Sequence, residues 1–205
     1  TAIPVMEQQY YLQLIEPLFM YGEMEELAAL YAALPIYHFP NAWAERCKEG
    51  IRSNIGLIRQ AVMLGNAYPA CFLDEPAWNQ LVLKAFFTEE PVEGIVGIQE
   101  RNNPRLAEAL VDYAYERSAA RRPIAPTLWR LVAPYLDERA FRLISRILEA
   151  SQDQLEKEEL AYACSQSAYE PARKLVMEAP WKNLAAAGQA RLGHGWARWK
   201  KYDNR

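Results

Sequence analysis

The chain is predicted to be all-α. Alanine and leucine dominate almost every segment, and threonine is confined to Thr1, Thr88 and Thr127. No Asn-Gly or Asp-Gly turn joins two alternating apolar runs, so nothing reads as a hairpin. The 205 residues are expected to form a single helical domain over 1–205. At that length a chain buries roughly 70% of its unfolded surface, without help from metal or disulfide. The C-terminal half has helix lengths that fit a HEAT-like α-solenoid, although no clean repeat near 40 residues accompanies them.

The first helix is expected from Val5 to Tyr21, with Tyr11, Leu14, Ile15 and Leu18 on one face and Pro17 kinking it. Gly22 ends it, and Glu23–Leu34 forms the next helix before Pro35. Asn41 is read as the cap of one long helical segment running to Gly65, with Ile51, Ile55, Ile58 and Val62 at helical spacing. Residues 65–73 read as a loop. Asp74 then caps a helix whose Trp78, Leu81, Val82, Ala85 and Phe86 form one apolar stripe, with Pro76 in its first turn.

A short helix is expected over 91–100. Asn103 caps a helix that starts at Pro104 and runs to about Ala119; its apolar residues go nearly all round, which makes it the expected most-buried helix. Further helices are expected over 126–135, 137–150, 153–166 and 168–178. Asp153 with Glu156, and Ser167 with Glu170, have the spacing of reciprocal caps. Residues 137–180 form the stacked helices. Residues 181–205 form a basic, Trp-rich tail.

Charge and cysteine usage narrow the chemistry. A net charge of −3 and a pI near 5.6 argue against a nucleic-acid partner. Cys47, Cys71 and Cys164 are scattered and odd in number, and His38 and His194 are the only imidazoles, so neither disulfide nor metal site is expected. Each cysteine reads as a small core residue before it reads as a nucleophile. No phosphate-binding loop or nucleophile elbow occurs, and Gly193-His194-Gly195 follows no strand, so no cofactor is implied. The start of the sequence has no secretory character and no apolar run spans a membrane, which makes a cytoplasmic location the expectation.

Three groups of residues invite a functional reading. Asp112 and Glu116 lie one turn apart on a face with Arg105 and Glu108; they fit a solvated stripe paired with Arg105, or a carboxylate site holding a divalent ion or working as acid and base. Asn79, Gln80 and Lys84 lie beside the Trp78 stripe, placed to satisfy core carbonyls or to bind an oxygen-rich ligand. Arg52 and Asn54 carry the same ambiguity. In the tail, Trp196 and Trp199 lie among Arg198, Lys200 and Lys201, a pattern of docking on the core or of peripheral membrane contact. Catalytic residues are not assigned, and whether the chain is an enzyme stays open.

The block from Trp78 to Phe87, Trp-Asn-Gln-Leu-Val-Leu-Lys-Ala-Phe-Phe, resembles the signature of the EboA-domain family. Ile95-Val96-Gly97-Ile98, Asn103-Pro104-Arg105-Leu106-Ala107 and the run from Leu110 to Arg117 do so too, as do Arg52-Ser53-Asn54 and Leu128-Trp129-Arg130, so that the resemblance covers a core signature block at residues 45–136. Tyr115 stands where that family often has His, and Ser118 where it often has Trp. A catalytic role carried by that histidine would therefore not transfer, since phenol and imidazole differ by several pKa units. The resemblance implies an accessory component of a bacterial operon that makes or moves a secondary metabolite. Its partner would be an operon-encoded protein or the small metabolite. An enzyme using Lys84, Asp112, Glu116 and Arg117, or a solenoid adaptor, are the alternatives.

Overall fold

The computed structural model describes residues 7–195, with side chains to residue 190. The described residues form twelve α-helices joined by 3-10 turns, with no strand, so the all-α expectation holds. The tail residues from 196 onward, with Trp196 and Trp199, lie outside the described residues, as does the expected helix start at Val5. Backbone proximity gathers the chain into two compact units, residues 1–98 and 99–205. No described helix is long and apolar enough to cross a membrane.

The first unit holds α1 (Gln8–Tyr21), α2 (Met24–Ala32), α3 (Ala44–Arg52), α4 (Gly56–Met63), α5 (Tyr68–Phe72) and α6 (Glu75–Phe87). A reciprocal capping box starts α2. The Glu23 side chain accepts from the third helical N–H, and the Glu26 carboxylate accepts from the Glu23 N–H at 2.9 Å. The single long helix expected after Asn41 is two helices instead. Asn41 sits in a 3-10 turn without a capping bond, and the chain breaks at Ser53, whose hydroxyl accepts from the Ile55 N–H at 3.1 Å. That break lets α4 fold back on α3. The crossing is tight at Gly50, where a Cβ would lie 2.5 Å from Val62 Cγ2 and 2.8 Å from the Tyr31 ring.

Residues 65–73, expected as a loop, contain α5. The buried Asn66 side chain holds this corner: its amide donates to the Tyr31 and Ala61 carbonyls, and its oxygen accepts from the Tyr68 N–H. Asp74 caps α6 as expected, accepting from the Ala77 N–H at 2.9 Å, and the whole Trp78–Phe86 stripe is buried. The helix expected over 91–100 shrinks to a 3-10 turn, Val92–Gly94, followed by further turns. Gly94 and Gly97 in so short a stretch leave little reason for a helix to propagate.

The second unit holds α7 (Pro104–Ala119), α8 (Leu128–Val132), α9 (Glu138–Ala150), α10 (Gln154–Gln166), α11 (Glu170–Leu175) and α12 (Trp181–Gly195). Asn103, Asp137 and Asp153 cap α7, α9 and α10 through their side chains. The two expected reciprocal boxes do not form. Glu156 accepts from the Ser151 hydroxyl, while Ser167 accepts from the Tyr169 N–H and leaves Tyr169 at the cap of α11. The most enclosed long helix is α10, not α7: α8, α9, α11 and α12 all pack on it. Gly188 of α12 makes the last of these contacts close, because a Cβ there would lie 2.5 Å from the Glu158 carbonyl oxygen. Helix α7 buries Leu106, Ala107, Leu110, Val111 and Ala114 but turns Glu108, Asp112 and Glu116 to solvent.

Candidate functional site

The residues singled out from sequence fall into two groups, one in each unit. In the first unit, Arg52 and Asn54 are exposed at the α3–α4 break, with the Ser53 carbonyl between them accepting from Arg59 at 3.4 Å. Trp78 is wholly buried and belongs to the core. Beside it on α6, Asn79 and Lys84 are half-buried and Gln80 is exposed. The Lys84 carbonyl accepts the Thr88 hydroxyl at 2.8 Å, which closes the helix end.

In the second unit, Asp112 and Glu116 are exposed on α7. Asp112 pairs with Arg139 of α9 at 2.6 Å. The hydrogen bond from that carboxylate holds the Arg139 guanidinium above its ordinary pKa. Arg139 also lies 4.8 Å over the Tyr115 ring, and the Tyr115 hydroxyl donates to the Arg139 carbonyl. Arg117 donates to the Pro123 carbonyl at 2.9 Å and lies 5.9 Å from the Tyr113 ring centroid. These bonds join α7 to α9 and to the loop after α7. Among the described residues no group of three His, Cys, Asp or Glu side chains converges as a metal site.

Two buried ion pairs escaped the sequence reading. Arg59 donates to Glu90 at 3.0 Å, and Gln60 donates to the other Glu90 oxygen. Arg130 of α8 makes a two-pronged contact with Glu159 of α10, its Nε 2.6 Å from one carboxylate oxygen. The partners stand about thirty residues apart in sequence, beyond any local motif. The one available signal was a charge inside an apolar run, as with Arg130 between Trp129 and Leu131.

Among the described residues, several exposed apolar side chains gather on α1, which has two apolar faces. The inner face carries Tyr11, Ile15 and Phe19. Tyr11 meets the His38, Phe39 and Trp43 rings at centroid distances of 5.5–6.2 Å, and Phe19 meets the Tyr31, Tyr37 and Trp43 rings at 5.1–6.4 Å. Arg46 fastens the helix further, bonding Glu16 at 2.8 Å from its Nε and lying 5.3 Å over Phe19. The outer face carries Tyr10, Leu14, Pro17, Leu18 and Tyr21. Tyr10 is 56% exposed, Leu14 47%, Leu18 48% and Tyr21 81%. Between this face and α2 runs an open groove of about 540 Å³, walled by Pro17, Leu18, Tyr21, Leu30 and Ala33, with Glu26 its one charged group. Tyr11, Leu14, Ile15 and Leu18, expected on one face, are thus divided between two.

The described residues form an all-helical framework with an open apolar groove. The chain belongs to the EboA family: the family model, described as metabolite traffic protein EboA, matches residues 1–133. That span takes in the whole first unit and continues through α7 and α8. No curated protein and no solved structure matched the chain.

Proposed function

We propose that this chain is an accessory component of a bacterial operon that makes or moves a secondary metabolite. It works in the cytoplasm by binding a partner protein or the metabolite itself through the α1–α2 groove. The observation that carries the reading is the uncovered outer face of α1, which lies within the span matched by the metabolite traffic family. Large apolar side chains gathered on one solvated face are costly to leave in water and mark interaction sites more often than chance. The rival enzyme reading draws less support, since Asp112 is bound to Arg139 at the surface and Arg117 is engaged with the Pro123 carbonyl.

Complementation separates the two. In cells lacking the chain, the wild-type gene is expected to restore the small-molecule profile seen by mass spectrometry. Leu18→Ser/Tyr21→Ser should fail to restore it despite normal folding, and Asp112→Asn/Glu116→Gln should succeed. The reverse pattern would replace binding with catalysis as the role of this chain.

A further inference from the structure

We propose that the α1–α2 groove receives a cationic amphipathic helix from a partner protein. The proposal rests on the binding reading above and names its occupant.

The shape of the surface comes first. Tyr10, Leu14, Leu18 and Tyr21 recur at helical spacing along one side of α1. At 1.5 Å per residue they extend over roughly 16 Å, three turns of helix. That is longer than the reach of a single side-chain pocket, and it matches the spacing at which a docked helix presents its own apolar anchors. Met24 at the start of α2 is also 51% exposed and extends the apolar surface beyond α1.

Charge then selects the partner. No Lys or Arg precedes Arg46 in the sequence, whereas Glu7, Glu16, Glu23, Glu25 and Glu26 all lie on or beside α1 and α2. Glu16 is neutralised by Arg46. Glu23 and Glu26 hold each other's backbone at the start of α2, and Glu25 is exposed. Residues 1–98 as a whole carry 5 Lys and Arg against 12 Asp and Glu, a net −7. An apolar strip flanked by carboxylates attracts an apolar strip flanked by ammonium or guanidinium groups, and it repels an anionic lipid surface. It also repels the same face of a second copy. A helix with leucine-like anchors on one side and lysine or arginine on the other satisfies both requirements.

The test uses the full chain and two labelled peptides of identical pattern, one a Leu/Lys amphipathic helix and the other Leu/Glu, read by fluorescence anisotropy. The Leu/Lys peptide is expected to bind and the Leu/Glu peptide not to bind. Leu18→Ser/Tyr21→Ser should weaken binding roughly tenfold or more, as loss of central aromatic and apolar anchors does. Glu25→Lys changes an exposed residue outside the capping box and should weaken binding several-fold, with the difference shrinking in high salt. Circular dichroism confirms that both variants fold.

Equal binding of the two peptides, or Leu/Lys binding that ignores the Leu18/Tyr21 change, would overturn the proposal. So would co-sedimentation with phosphatidylglycerol/phosphatidylcholine vesicles, or self-association that the Leu18/Tyr21 change abolishes. If the Leu/Lys peptide fails while Leu18→Ser/Tyr21→Ser still abolishes complementation in cells, the groove remains the functional surface and only its occupant is wrong.

Discussion

The two units of the chain end their packing differently. In the first, the outermost helix α1 turns Tyr10, Leu14, Leu18 and Tyr21 outward. In the second, the last helix, α12, turns Lys182, Asn183, Ala186 and Gln189 outward while Ala185 and Gly188 face in. Both units bury an Arg–Glu pair and a cysteine, so their interiors are built alike. The contrast is at the surface. A helix needs one apolar stripe to join a core, and α12 has little more. Helix α1 has a second stripe that its own unit does not use, and folding alone gives no reason for it.

The largest expected effects lie in the shared interior feature. Glu159→Ala leaves the Arg130 guanidinium, 13% exposed, without its two-pronged partner. Breaking a largely buried, two-pronged ion pair costs on the order of 3 kcal/mol. Glu90→Ala should cost less, about 1–3 kcal/mol, because a single bond from Arg59 reaches that carboxylate. Chemical denaturation of the full chain measures the two losses. Hydrogen exchange locates them, with protection lost first in α8 and α10 for the former and in α4 for the latter. Equal losses would mean that the second prong of the Arg130–Glu159 contact contributes nothing.

A smaller and equally directional difference is expected at the two glycines. Gly188→Ala drives a methyl group against the Glu158 carbonyl and Tyr162 Cβ, neither of which can move without parting α10 from α12. Gly50→Ala meets a Val62 methyl and the Tyr31 ring, both able to rotate. Overpacking costs about 1–3 kcal/mol, with Gly188→Ala expected at the upper end and Gly50→Ala at the lower. Thermal unfolding reads the order, and a more harmful Gly50→Ala would show that the α3–α4 crossing is the stiffer one.

Local signals were legible and long-range ones were not. The caps at Asp74, Asn103, Asp137 and Asp153 follow from residue type and position, and each makes its bond. The apolar stripe of α6 was readable for the same reason, since a helix period depends only on neighbours three and four residues away. The break at Ser53 was hidden because it depends on a hydroxyl reaching the Ile55 N–H inside an otherwise helical pattern. The corner at Asn66 depends on the Tyr31 carbonyl, 35 residues upstream. Helix α1 shows the limit most clearly. Hydropathy marks both of its faces as apolar, and only the rings of Tyr31, Phe39 and Trp43, brought together by folding, decide which face is buried. The candidate site was missed because it is the face left over from that choice.

The smallest effect concerns the cysteines, where the units should behave alike. Burial pushes the Cys47 thiol of the first unit and the Cys164 thiol of the second up to about 12. Their ordinary value of 9.0 governs the unfolded chain, so below pH 9 both thiols are protonated whether folded or not and give stability no pH dependence. Above pH 9 the unfolded chain gains thiolate that the folded chain does not, and stability falls until the folded thiols ionise near pH 12. At pH 8 a disulfide reagent should therefore modify exposed Cys71 quickly and the other two only after denaturation. If Cys164 reacts in the native chain while Cys47 does not, α10 is opening locally, and the interiors of the two units differ as much as their surfaces do.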